Sequence, residues 1–548
     1  MENQENNFKI QGNDGMSNNN PLQENIDKKI SKKLIISMLL IITVLFVGVI
    51  FMLNKDDKKD PELNEVQNKP QMTNYRISGN SLEAFDLYFL QLENSKENKV
   101  YSPLSIKYAL AMLEEGTSGD AKTQISNIIG DYQAKKYTNS KNMSFANAMF
   151  IKDTYKNSIK SNYTNSLMNK FGASIITDSF NTPNIVNSWI SEKTLNLLND
   201  IFNDISDQEF LLLNALAIDM EWEEKFILQP GYGIHTSYLH EDFSWNGDSD
   251  IVSKDFYNVN EKVSGMDIIA SFNNYDIVKA LGENNIRNKV KSEFEKYLKE
   301  NPDDSISYYV DNENISGLTN DELMEKYLDN YIKEISSNFK AEDKTTDFKF
   351  YVDEKVKVFA KDLKEYDGTT LQYVGVMPIQ EDLDKYINNL NIKELSNIIS
   401  NLKELKAENF KDGVVTKING FIPKFKFDYK LELMNDLKKL GVTNIFEEGK
   451  ANLTNISDDD KLYINNAEHK ANIEFTQEGI KAAAVTELLG AGAGGMFDYL
   501  FEVPVEEIDL TFDKPYMFII RDKESGEVWF AGTVYNPLLY SEDTTKGM

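Results

Sequence analysis

Residues 477–515 constrain this chain more than any other stretch. They run Gln477, Glu478, Gly479, Ile480, Lys481, Ala482, Ala483, Ala484, Val485 and Thr486. A glycine-rich segment then passes through Ala493, Gly494, Gly495, Met496 and Phe497 before the approach to Pro515. Small side chains dominate between Gly479 and Gly495, so the segment can build little core of its own, while its backbone fits closely between other strands. In an extended conformation alternate side chains share one face. Ile480, Ala482, Ala484 and Thr486 then form an uncharged row, and Lys481, Ala483, Val485 and Glu487 form a row bounded by charges. That pattern suits a strand entering a packed sheet, with one face on a core and the other partly wet.

Gly490, Gly492 and Gly495 also spell a dinucleotide-binding fingerprint. Such a site needs a buried strand before the glycines and a crossover helix after them. The residues that follow reach Pro504 too soon for that helix. An ordinary surface loop is the remaining local alternative.

With 548 residues and 41% hydrophobic content, the chain can bury a sizeable core. Its 88 acidic against 59 basic residues give a formal net charge of −29, which repels phosphate and argues against nucleic acid as a partner. The absence of cysteine removes disulfides, thiolate catalysis, lipid anchors on sulfur and sulfur-ligated zinc. Three histidines, His235, His240 and His469, make a multi-histidine metal centre a poor reading, so no metal or cofactor is expected. A Ser-His-Asp triad would lack any G-x-S-x-G setting, and an enzyme of the cell envelope is disfavoured because no catalytic constellation is visible.

Residues 34–53 carry no charge, and about 20 residues suffice to cross a bilayer as a helix. Lys28, Lys29, Lys32 and Lys33 precede this run, whereas lysine and aspartate are mixed after it. The positive-inside bias predicts a single-pass anchor with the N-terminus cytoplasmic and the large C-terminal part extracellular. A cleaved signal peptide is the competing reading, and the run lacks a small-residue cleavage site. Residues 1–30 are predicted to be a disordered cytoplasmic tail, 54–78 a solvated linker and 539–548 a C-terminal tail. Folded sequence begins near Ser81, where Leu82, Phe85, Leu87, Phe89 and Leu90 open a helical apolar face.

Several motifs then recur in order. Asn98 to Ile106 includes Ser102-Pro103, a helix start with an N-cap and a first-turn proline, and Ala109 to Gly119 continues it. Ala146 to Phe150 reads as a strand and Phe210 to Met220 as an apolar strand buried on both faces and interrupted by Asn214, with Trp189 to Thr194 between them. Phe421, Phe425 and Phe427 share one face by their even spacing. Leu462 to Phe475, containing His469, is similar to the long strand that feeds the hinge in the serpin family, and Phe518 to Pro537 to that family's last strands.

These motifs, together with the hinge Gln477 to Thr486, resemble the serpin family of serine protease inhibitors over about 80–226 and 345–538. The resemblance implies an α+β fold of three β-sheets surrounded by helices, with a mobile reactive-centre loop. It implies a monomeric suicide inhibitor whose partner is a serine or cysteine protease. A polar shutter would form behind the opening sheet from Ser102, Ser105, Asn214 and His469, with Trp222 in the adjoining breach. Within the serpin domain, 80–538, an insertion is expected at about 228–345. There Thr319 and Glu322 form a capping box for a helix whose Leu323, Tyr327, Tyr331, Ile335 and Phe339 share one face. Asn312, Asn314 and Ser316 only faintly suggest a calcium loop.

The hinge departs from the family pattern at Ile480, which is bulkier than the usual threonine yet uncharged, and no proline follows before Glu502. A non-inhibitory serpin acting as a surface binding module is therefore the less favoured alternative. The loop is longer than that of a typical member. Counting from the hinge places the reactive bond near Ala493-Gly494, and so within a window from Ala493 to Phe497, whereas counting back from Pro515 places it near Val503-Pro504. The hinge count should govern, since the distance a protease is dragged depends on the residues that enter the sheet.

Overall fold

The computed structural model describes residues 77–540 apart from 227–251, 311–314, 338–345, 481–499 and positions 78, 80, 258, 260, 271 and 273. At 252–255 only the backbone is described. The expected anchor at 34–53, most of both flanking tails and the linker, and the candidate calcium ligands Asn312 and Asn314 lie outside the described residues.

Among the described residues four hydrogen-bonded sheets build the body. A six-stranded sheet orders β1 (Lys99–Tyr101), β17 (Val528–Val534), β16 (Tyr516–Asp522), β10 (Leu371–Pro378), β9 (Val356–Asp362) and β8 (Lys349–Val352). Its centre is β10, in which every residue is buried, consistent with a strand covered on both faces. A second sheet orders β15 (Val505–Thr511), β11 (Val415–Pro423), β7 (Lys262–Ala270) and β6 (Val252–Asp255).

The third sheet is in two parts. One part orders β3 (Ser174–Asp178), β2 (Met143–Lys152) and β4 (Phe210–Ile218). The other orders β12 (Phe425–Leu431), β13 (His469–Phe475), β14 (Gly479–Ile480) and β5 (Met220–Glu221). Only Asp219 separates β4 from β5, so one nearly continuous strand belongs to both parts. Among the described residues no ladder joins β4 to β13.

Three sequence expectations are adjusted here. The even spacing of Phe421, Phe425 and Phe427 spans two strands, β11 and β12, which part at Lys424 and enter different sheets. The strand expected over 462–475 begins only at His469. In β4 the expected burial on both faces holds from Ala215 onward, while residues 211–214 stay half-buried.

The interval 228–345 is not one unit. Lys262–Ala270 pairs with β11 and so belongs to the second sheet. A separate helical unit begins at Asn274, with helices Asn274–Leu281, Glu283–Glu300 and Asn320–Ser337 around an apolar cluster of its own. The capping box forms as the sequence predicts. The Thr319 N–H donates to Glu322 Oε2 at 2.8 Å, and the Glu322 N–H donates back to Thr319 Oγ1 at 3.3 Å.

Candidate functional site

Ser102 caps the helix Pro103–Gly116, its Oγ accepting from the Ser105 N–H at 3.0 Å. The Ser102 N–H in turn donates to His469 Nε2 at 2.9 Å, tying that helix to the first residue of β13. An accepting Nε2 carries no proton, so the imidazole is held neutral, and burial pushes its pKa down to about 4.

Asn214, in β4, donates from Nδ2 to Asn147 Oδ1 at 2.8 Å, and Asn147 donates to the Phe171 carbonyl at 2.9 Å. Among the described residues Asn214 Oδ1 is a buried acceptor with no partner. Ser102, Ser105, Asn214 and His469 line one cavity of about 130 Å³ between β4 and β13. Among the described residues, however, no hydrogen bond spans from Asn214 to Ser102 or His469.

The cavity is roofed by residues 190–202. β13 is stitched to this roof by Lys470 Nζ on the Ile201 carbonyl at 2.6 Å and Asn472 Nδ2 on the Leu197 carbonyl at 2.5 Å. Asn147 and the roof were not singled out from the sequence. Asn147 carries the same signal as Asn214, an amide within an apolar strand.

At the end of this gap lies the hinge. β14 is antiparallel to both neighbours, Ile480 facing Phe475 on β13 and Met220 on β5, and Gly479 facing Glu221. Strand backbones come so near that a Cβ on Gly479 would stand 2.1 Å from the Met220 carbonyl oxygen. Ile480 is 2% exposed, so the inward row of the hinge starts in the core. Trp222 is fully buried, its indole N–H donating to the Thr476 carbonyl at 2.9 Å and its backbone N–H to the Glu478 carbonyl at 3.0 Å. The Phe226 N–H donates to the Gln477 carbonyl at 3.2 Å. Lys225 pairs with the Glu478 carboxylate at 2.6 Å. Lys364 hydrogen-bonds Glu221 and, with partial burial opposing, holds that carboxyl below its ordinary pKa. Gln477 to Ile480 are thus anchored between β5 and β13. The other hinge residues, Lys481, Ala482, Ala483, Ala484, Val485 and Thr486, lie outside the described residues, as does the window Ala493, Gly494, Gly495, Met496 and Phe497.

The profile of the family described as Serpin (serine protease inhibitor) matches residues 79–230 and 326–537. The chain belongs to the serpin family. Human leukocyte elastase inhibitor is 25% identical over 84% of this chain and 99% of its own length. Tengpin, a thermophilic serpin solved in its native state, superposes with a TM-score of 0.53 at 20% identity, covering 84% of this chain and 96% of that one. Human thyroxine-binding globulin in complex with its hormone gives 0.52 at 15%, covering 83% and 97%. At these identities the structural likenesses speak to fold alone.

Proposed function

We propose that the protein is a suicide-type inhibitor of serine endopeptidases, with cysteine endopeptidases as a second target class. It would trap them by inserting its cleaved loop into the central sheet. One observation carries this reading: among the described residues no ladder joins β4 to β13, and Gly479–Ile480 is already paired on both sides at the mouth of the gap.

Continuing the strand in the register set at Gly479 and Ile480 puts Ala482 between Ile218 and Ile473, and Ala484 between Leu216 and Ala471. Thr486 then arrives between Asn214 and His469, where its hydroxyl meets the unpartnered Asn214 Oδ1. Successive inserted residues add ladder hydrogen bonds to one neighbour and then the other, and each carries an attached enzyme about 3.3 Å further.

In the reaction, the protease nucleophile attacks a carbonyl between Ala493 and Phe497. The peptide C–N bond breaks, the new amine leaves on the C-terminal segment, and the enzyme stays acylated. Insertion then distorts the enzyme before water can release it. The inward hinge row carries no charge or proline, which favours this over a surface binding module. Residues 34–53 are read as the membrane tether of an inhibitor displayed outside the cell.

Incubation with a panel of proteases tests the reading. A complex that survives boiling in detergent, with its acyl bond between Ala493 and Phe497, is expected. Cleaved chain and fully active protease throughout the panel would overturn it.

A further inference from the structure

We propose that the inserted helical unit is a clamp on the C-terminal end of the reactive loop, withdrawing the bonds around Phe501 from proteases and leaving attack to the N-terminal side. Phe501 and Val503 are 7% and 6% exposed, while Leu500 and Glu502, which alternate with them, face solvent, the pattern of an extended segment with one face buried. Their apolar cluster is that of the inserted helices, including Ile286, Val290, Leu328 and Ile335, and among the described residues it meets the main body at Phe410, Val415 and Val505.

Two main-chain contacts hold the same segment. The Leu500 N–H donates to the Tyr331 hydroxyl at 3.3 Å, on the apolar stripe of helix Asn320–Ser337. The Pro504 carbonyl accepts from the Val415 N–H at 3.0 Å, so the segment runs straight into the β15–β11 ladder. The unit is itself fastened to the body where the Gly413 N–H donates to the Ala280 carbonyl at 2.9 Å.

A protease binds its substrate as an extended, accessible strand, so a bond in this segment is cut only after local opening. The clamp therefore accounts for the surplus length of the loop, part of which lies in a second core. Tyr499, Leu500 and Phe501 offer three bulky cleavage positions, and cutting there would leave slack between enzyme and sheet. That consequence rests on the inhibitor reading, whereas the clamp does not.

Limited digestion with chymotrypsin, mapped by mass spectrometry, tests the clamp in the full chain and in Val503→Asp, which keeps all three positions. Wild type is expected to be cut after Met496 or Phe497, at a rate on the order of tenfold or more above any cut after Tyr499, Leu500 or Phe501. In Val503→Asp those three cuts should rise to match. Equal rates in wild type, or an unchanged pattern in the variant, would overturn the clamp. Should the variant unfold globally, hydrogen exchange of the wild type decides: slow amides at Leu500 to Val503 support the clamp, and exchange at the unprotected rate refutes it. If the map shifts as expected but no protease gives a detergent-stable complex, the clamp stands and the inhibitor reading falls.

Discussion

Gly479 sits where no side chain fits, since a Cβ would collide with the Met220 carbonyl oxygen and the Glu221 Cα. Both are backbone of a packed strand and cannot swing aside, so Gly479→Ala should push β14 out of the sheet and lower stability by about 1–3 kcal/mol. Thermal denaturation reads the loss, and a variant as stable as wild type would show that the seat is looser than drawn.

His469 makes a pH prediction. Its pKa of about 4 in the folded chain lies below the ordinary 6.5, so between those values the unfolded chain binds a proton that the folded chain refuses. This contribution is complete above pH 6.5 and is lost as pH falls toward 4, amounting to about 3 kcal/mol at most. Protonation also removes the lone pair that accepts from Ser102. His469→Ala should be less stable at pH 7 yet show a flatter decline between pH 6.5 and 4.5, the surface carboxylates being common to both proteins; parallel declines would exclude His469 as the cause. At this scale the motif residues were legible because serine before proline and a lone amide in an apolar strand are local signals. That Asn214 would pair with Asn147 was not, because the β2–β4 register decides it.

At the scale of elements, the hinge's outer row has a charge logic that its inner row lacks. In the register fixed by β14, Lys481 enters between Asp219 at the β4–β5 junction and Glu474 on β13. The cation would meet two carboxylates at the partly wet face, an exposed pairing worth about 1 kcal/mol or less per contact. Lys481→Glu would bring three acids together at the first step of insertion. It should slow insertion and raise the fraction of molecules cleaved without trapping enzyme, and Asp219→Lys in the same chain should restore part of the yield. An unchanged complex-to-cleaved ratio in Lys481→Glu would contradict this register. The alternation that marks the hinge was readable in sequence because period two survives in any extended strand. Period two does not report which sheet a strand joins. The aromatic row from Phe421 to Phe427 therefore read as one face, although the chain changes sheets at Lys424. The helix after Thr319 was readable from its capping box, while the burial of Phe501 against the unit containing it was not, since contacts between distant segments leave no periodic trace.

For the whole molecule, the expected fold was legible because the motifs recur in family order on both sides of the insertion, and order is harder to imitate than any single motif. The extent of the insertion was less so: strands β6 and β7 lie in a stretch without recognisable motifs, yet β11 pairs with β7. The remaining prediction concerns where this body works. Residues 34–53 are uncharged and follow four lysines within six positions, and an apolar run of about 20 residues partitions into a bilayer as a helix whose basic flank stays on the cytoplasmic side. Retention of that run would concentrate the inhibitor at the membrane, where a protease added outside intact cells should reach the loop and cleave it while the N-terminal 30 residues stay protected. Fractionation should leave the chain in the membrane pellet after a high-salt wash, because burial of the apolar run does not depend on charge. Recovery of the whole population in the medium, with a new N-terminus near Asn54, would identify 34–53 as a removed export signal and make the inhibitor a freely diffusing one.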